Sequence, residues 1–381
     1  MTQGVRVEPV TDASALDRFI AIPKRLYRGQ RGFVAPLALE RKDALSAKKN
    51  PYFHHAEAQY FVAYSGDEPV GRVSAQIDRL YIERYRNATG HFGLIDAPDD
   101  AAVWRALTGA AESWLRERGM RRAIGPLSLS TNEETGMLVD GFDAPPMMLM
   151  TYHPPYAARR LEEQGYVKAK DLIAYDYDVE RAAPITDAKI LARAGIDESR
   201  IRIRRLDMKR YKEELAIVLD IFNDAWSDNW GYVPMTAAEI EHTAKSMKPL
   251  IEPELFWIAE IDGEPASMIV CLPNLNEALK GLDGNLLPFG WAKLLWRLKV
   301  AKVKTSRVVL FGLRKKHQRS IIGSAVILRI LDALRLGGRK IGMPRAELSW
   351  ILEDNLPMRK IIEKVGGKAY KTYRIYEKAI G

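Results

Sequence analysis

The stretch from Arg307 to Lys378 limits what the rest of the chain can be. Arg307-Val308-Val309-Leu310-Phe311-Gly312-Leu313 is apolar and rich in strand-forming residues, which predicts a buried strand. A basic turn, Arg314 to Ser320, follows. Ile321-Ile322-Gly323-Ser324-Ala325 then opens a helix predicted to end at Gly337-Gly338. A strand, a basic turn and a helix with a small residue in its first turn present unpaired backbone N–H groups and a positive dipole end, which suits a phosphate. The competing reading of the turn is a solvated basic loop. Further on come a strand through Glu347-Leu348-Ser349-Trp350, a helix from Leu356 to Val365, and a closing hairpin from Tyr370 to Lys378.

The order of elements before this stretch is a duplicate of it and of what leads into it. A strand (Val5 to Pro9), a helix (Ala13 to Leu26), a hairpin (Tyr60 to Ala75), a strand (Gly90 to Ile95), a helix (Asp100 to Arg118) and a strand (Arg122 to Pro126) fill the first half. After a connector from Arg181 to Ile196 the order starts again, with a strand at Ile201 to Arg205, a helix at Lys209 to Ala225 and a hairpin at Leu255 to Cys271. The expected division is therefore residues 1–182 and 183–381, in a mixed α/β class, with an amphipathic insertion near 275–305. The first half has no phosphate loop. Ile95-Asp96-Ala97-Pro98-Asp99-Asp100 is acidic where the second half is basic, so that half reads as a degenerate copy.

Composition narrows the function. The 381 residues carry a net charge of +9 with 47% hydrophobic residues, an ordinary globular balance that favours an anionic partner. No zinc finger or basic-aromatic pattern points to nucleic acid. The single cysteine, Cys271, excludes a disulfide framework and any cysteine-rich metal site, so no metal is expected. Met1-Thr2-Gln3-Gly4 does not open a signal peptide, and no apolar run spans a bilayer. The expected location is cytoplasmic, peripheral on the inner face of the membrane.

His317-Gln318-Arg319-Ser320-Ile321-Ile322-Gly323-Ser324-Ala325 is similar to the pyrophosphate loop of the GNAT superfamily of acyl-CoA-dependent N-acyltransferases. Gln318 and Gly323 match its pattern, while Ile321 stands where a glycine is usual. Asn355 and the following Glu363-Lys364-Val365-Gly366-Gly367 look like that family's next conserved segment. The resemblance implies tandem GNAT-like domains, the N-terminal copy degenerate, and acyl-CoA as acyl donor. It places the pyrophosphate on Gln318, Arg319, Ile322, Gly323 and Ser324, the pantetheine arm along Phe311 to Leu313, and Asn355 beside it. Lys315 and Lys316 are candidates for the 3′-phosphate. Amide formation needs a proton acceptor near the amine, and Glu347 is the choice; its competing role is a strand carboxylate paired with Arg345 or Arg374. Many family members use a tyrosine in the last helix as general acid. Ile362 stands at about that place, so Tyr370, Tyr373 and Tyr376 are substitutes, with Tyr373 preferred. Trp226, Asn229, Trp230 and Tyr232 fall where this fold covers its acceptor site.

The insertion from Asn285 to Val300 contains Phe289, Trp291 and Trp296 among leucines, with Lys293 and Arg297 one turn apart. Pro288 can start its helix. Aromatic residues with a basic stripe suit an interfacial membrane helix; a core helix with a charged edge is the other reading. With this segment, Asn223 to Pro234 and Glu347 to Asn355, the chain resembles the bacterial ceramide synthase group. That resemblance implies a long-chain acyl group moved to a long-chain amine such as a sphingoid base. The alternatives are an acetyltransferase of a small amine or protein lysine, and a non-catalytic acyl-CoA-binding module at a membrane.

Overall fold

The computed structural model describes residues 4–186 and 188–381, so the start of the chain at Met1 to Gln3, and Asp187 within the expected connector, lie outside the described residues. The chain forms two compact units. The first comprises Met1–Ile173, Ala278–Val300 and Tyr370–Gly381; the second comprises Ala174–Glu277 and Ala301–Ala369. Two segments thus depart from a single division at residue 182. The insertion returns to the first unit, where the Ala38 N–H donates to the Gly284 carbonyl at 3.2 Å. The end of the chain returns too. It is one strand, Lys368–Ala379, rather than a closing hairpin. In the first unit it runs antiparallel to Arg122–Gly125, with Tyr376 opposite Gly125 and Ala379 opposite Arg122. Backbone pairing outweighs nearness along the chain.

In the first unit, strands Val5–Pro9, Ala56–Ser65, Glu68–Asp78 and Thr89–Asp96 pair in sequence as antiparallel neighbours, and Thr89–Asp96 then pairs parallel with Arg122–Gly125. Alternation along the strands feeds two cores. Phe61, Val73 and Phe92 face the helix Ala101–Glu117 through Trp104 and Leu107, while Tyr60, Val62 and Leu94 pack with Phe19 and Ile20 of the helix Ala13–Tyr27.

The second unit repeats this order. Ile201–Arg205, Phe256–Ile261, Glu264–Pro273 and Thr305–Leu313 are antiparallel neighbours, and Thr305–Leu313 is parallel to Arg345–Leu352. The helix opened by Ile321 does not stop at Gly337-Gly338 but runs to Ile341, where Gly342 takes the left-handed conformation. Gly337 serves close packing instead: a Cβ there would sit 1.8 Å from the Glu254 carbonyl oxygen. The expected strand and helix positions otherwise hold to within a few residues. A helix at Ala237–Met247 was not expected, although its capping box, Thr236 with Glu239, stands in the sequence.

Candidate functional site

The parallel pair of the second unit is joined at one end only. Thr305, Ser306, Arg307 and Val308 pair with Arg345, Ala346, Glu347 and Leu348, and there the ladder stops. Both strands continue, to Leu313 and Leu352. They therefore part, and a cleft opens between them. Val308, Val309 and Phe311 line one wall, and Ser349, Trp350, Ile351 and Leu352 the other. Leu331 of the long helix and Asn355, Met358 and Ile362 of the helix Leu356–Lys364 complete it. The walls are largely apolar, and peptide groups beyond the end of the ladder lie along them. Such a slot fits a slender, amide-bearing arm better than a bulky rigid ligand.

One end of the slot is the basic turn. Ser320 caps the long helix, its Oγ accepting from the Gly323 N–H at 3.0 Å. The helix start is pressed onto the turn so closely that a Cβ on Gly323 would lie 2.0 Å from the His317 carbonyl oxygen. The N–H groups of Ile321 and Ile322 head the helix and have no intrahelical acceptor. Gln318 holds the turn against the strand: its Nε2 donates to the Leu313 carbonyl at 2.9 Å and the Ala225 carbonyl at 3.2 Å. Asp224 accepts from the Lys315 N–H at 2.8 Å. The two lysines expected for a phosphate already meet carboxylates, Lys315 with Asp228 and Lys316 with Glu264, each at 2.6 Å. These pairs are exposed and worth little, so an anion can displace them. Arg319 is exposed and makes no ion pair among the described residues.

At the other end, where the strands part, lies a buried polar group. Glu347 is 0% exposed and sits across the ladder from Arg307. The Arg307 Nε is 3.5 Å from the Glu347 carboxylate and donates to the Ser349 Oγ at 2.7 Å, and Ser349 in turn donates to Glu347. Of the two arginines expected beside it, Arg345 pairs with Asp176 and Arg374 with Asp171. The last helix is capped by Asn355, whose side chain accepts from the Met358 N–H at 3.3 Å.

The expected acceptor residues divide. Trp226 and Asn229 line the cleft, where the Trp226 Nε1 donates to the Phe311 carbonyl at 2.9 Å and its ring meets Trp350 edge-on at 5.6 Å. Tyr232 instead is buried against Phe222, with its hydroxyl donating to the Asn223 Oδ1 at 2.7 Å; Trp230 does not line the cleft. Tyr373 is fully buried in the first unit, opposite Leu138. Cys271 is buried as well, and burial pushes its thiol up to about 12. It is expected to resist a thiol reagent in the native protein at neutral pH and to react fully on denaturation, as a thiol count with and without urea would show.

Arg307, Ser349, Met358 and Trp350 are site residues that motif reading missed. The signal for the first was a charge opening an otherwise apolar strand. For the second it was the two-residue spacing from Glu347, which puts both on one face.

The corresponding slot in the first unit is closed. There Thr89, Gly90 and His91 pair with Arg122, Ala123 and Ile124, and the chain then stays close beside the same neighbour, where the Leu94 N–H donates to the Ser128 Oγ at 3.2 Å. The Leu127 carbonyl oxygen is 1.8 Å from where a Cβ on Gly93 would be, and the Gln76 side chain donates to the Leu127 and Leu129 carbonyls at 2.6 and 2.9 Å. This closure is the structural content of the degenerate copy.

The insertion forms a helix at Gly290–Trp296 that continues as a wider turn over Arg297–Ala301, starting two residues after Pro288. None of these residues is buried. Leu287 is 82% exposed and Phe289 77%, with Trp291, Leu295, Trp296 and Val300 also exposed, which removes the core-helix reading. Arg297 is not part of a solvent-facing basic stripe, since its Nη1 donates to the Ala278 and Lys280 carbonyls at 2.7 and 2.6 Å. Lys293 and Lys299 are exposed.

No helix among the described residues is long and apolar enough to cross a membrane, and no cluster of His, Cys, Asp and Glu among them is arranged to hold a metal ion. No family model matches the chain. It is 50% identical over 375 residues to the bacterial ceramide synthase of Caulobacter vibrioides (strain NA1000 / CB15N), covering 98% of this chain and 97% of the relative. It is 44% identical over 380 residues to protein YghO of Escherichia coli (strain K12), covering 99% and 96%. A tandem GNAT protein from the clavulanic acid biosynthesis pathway, solved without AcCoA, matches with a TM-score of 0.57 at 11% identity over 99% of both chains. A GCN5-related N-acetyltransferase from Sphaerobacter thermophilus matches with a TM-score of 0.52 at 12% identity, over 99% of this chain and 96% of that one. At such identities the solved structures speak to the fold alone.

Proposed function

The chain belongs to the bacterial ceramide synthase family, a group of N-acyltransferases on a tandem GNAT fold, and from that premise we propose that it moves a long-chain acyl group from acyl-CoA to the amine of a lipid-like acceptor such as a sphingoid base. The observation that carries this reading is the parted parallel pair, with an anion-binding helix start at one end and a buried carboxylate at the other. Acyl-CoA supplies an activated thioester. The N–H groups of Arg319, Ile321 and Ile322 and the helix dipole would take the pyrophosphate, and displaced Lys315 and Lys316, with the Arg319 side chain, the 3′-phosphate. The edges of Val309 to Leu313 and of the opposite strand would bond the amides of the pantetheine arm. Trp226 and Asn229 border the acceptor's approach.

An ammonium must lose a proton before it can attack, and we assign that proton to Glu347. The leaving thiolate is far less basic than an alkoxide or an amide anion, so it can depart without a strong acid and be protonated afterwards. That fits Ile362 at the place where many relatives of this fold carry a tyrosine.

The test is incubation of the purified protein with acyl-CoAs of graded length and a sphingoid base, following amide by mass and free thiol by colour. Long-chain thioesters are expected to be used far faster than acetyl-CoA; preference for acetyl-CoA would sink the reading. Gly323→Ala forces the helix start away from the turn by lengths no side chain can absorb. It is expected to weaken coenzyme A binding by about tenfold or more, the worth of one charge-assisted hydrogen bond. Calorimetry would read this, and unchanged affinity would move the pyrophosphate elsewhere.

The exposed face of the insertion, with Trp291 and Trp296 beside Lys293 and Lys299, supports docking on an anionic membrane surface, where the acceptor resides. Trp291→Ala with Trp296→Ala is expected to lower sedimentation with vesicles of acidic phospholipid by about tenfold or more, the worth of burying one aromatic side chain. Equal binding by the variant would remove the insertion from that role.

A further inference from the structure

We infer that Ser349 is the group through which Glu347 reaches the amine, in a proton relay oriented by Arg307; this rests on the N-acyltransferase reading of the cleft. Glu347 does not itself line the cleft, whereas Ser349 does. A serine hydroxyl has one hydrogen and two acceptor lone pairs. Arg307 occupies one lone pair, its Nε donating at 2.7 Å. The hydrogen is directed to the Glu347 Oε1. One lone pair is therefore left, on the one polar atom of the three side chains that borders the cleft. A guanidinium cannot accept a proton or lose one here, so Arg307 fixes the direction of transfer without joining it.

The transfer balances with one proton. The N–H bond of the bound ammonium breaks as the Ser349 Oγ takes that hydrogen, and the Ser349 O–H bond breaks as its hydrogen passes to the Glu347 Oε1. Serine ends as it began, Glu347 becomes neutral, and the amine is free to attack. As the C–N bond forms and the C–S bond breaks, the thiolate leaves with the electron pair. The second amine proton neutralises it, and Glu347 returns its own to solvent.

The first unit offers an internal comparison. Its parallel pair begins with the same residues in the same register, Thr89 opposite Arg122 where the second unit has Thr305 opposite Arg345. Counting on from that match, His91 stands for Arg307, Ile124 for Glu347 and Pro126 for Ser349. The copy whose slot is closed has lost all three members together. A purely structural buried ion pair would have no reason to follow the slot.

Ser349→Ala is expected to lower kcat by about 10²-fold or more, as Glu347→Gln does, with coenzyme A affinity near that of the parent and a lowered melting temperature, since the buried Arg307 Nε loses its acceptor. Ser349→Thr restores the hydroxyl and is expected to recover rate to within about tenfold. The double variant should cost no more than the worse single, since members of one relay are not additive. Rates in mixtures of light and heavy water should curve for the parent, two protons moving together, and become linear for Ser349→Ala. A Ser349→Ala protein that keeps its rate while Glu347→Gln loses it overturns the relay and leaves the acyltransferase reading standing. A parent that forms no amide from any acyl-CoA and amine overturns that reading, and the relay with it.

Discussion

Glu347→Gln is expected to cut amide formation by about two to four orders of magnitude while coenzyme A still binds. The change keeps the size and one acceptor oxygen of the side chain and removes its charge and with it the ability to take a proton. It acts at the point where the two parallel strands part, away from the turn that would hold the phosphates. Affinity for coenzyme A should therefore move little. Stability should move more, because the substitution removes the counter-charge 3.5 Å from a buried guanidinium. Such a loss costs on the order of 3–5 kcal/mol when nothing compensates, and the retained amide oxygen offsets part of it. Thermal melts, calorimetry with coenzyme A and product mass together separate the three effects. A variant that melts and binds as expected but turns over at the parent rate would remove Glu347 as base.

Much of this site could be read from residue order, for a physical reason. A strand, a capped helix and a glycine at the closest approach are local features, and Ser320, Gly323 and Asn355 declare them within a few positions. What could not be read depends on distant parts of the chain. Arg297 reads as a surface cation until the carbonyls of Ala278 and Lys280 are seen to hold it. Tyr373 is near the last helix in sequence, but its strand is completed by residues of the first unit, which takes it into that unit's interior. Gly337 looked like a helix stop because a helix end and a close approach both call for glycine, and only the Glu254 carbonyl shows which applies. Glu347 was legible as a carboxylate on the right strand. Its partners were not, since Arg307 becomes its neighbour only through the parallel register.

The first unit is expected to lose stability as pH falls from about 6.5 towards 4, before most carboxylates titrate. Two of its histidines, His91 and His153, are buried, and burial lowers each to about 4. Asp78 opposes the shift at His91, and Asp96 at His153, but desolvation outweighs both. His91 lies edge-on to Tyr81 at 4.5 Å, and neither ring nitrogen has a hydrogen-bond partner among the described residues. The Nδ1 of His153 is 3.4 Å from the Leu138 N–H, which donates to it, so protonation there also breaks a hydrogen bond. The sign follows from the ordinary value of about 6.5 in an unfolded chain. Between the two values the unfolded chain binds the proton and the folded one does not, so acid favours unfolding. Stability is complete above about 6.5 and falls by up to about 1.4 kcal/mol per pH unit for each histidine, on the order of 3 kcal/mol apiece by pH 4. Against a total of about 5–15 kcal/mol for a domain, two such losses are enough to open the first unit. Asp171, held low by Arg374 and Lys168, acts in a different window, because its contribution disappears only below about 4. Urea unfolding at pH 7, 5.5 and 4.5, followed by a probe within the first unit, would measure the slope. His91→Gln and His153→Gln, neither of which titrates, should each remove about half of it, and a slope unchanged in the double variant would assign the acid loss to other groups.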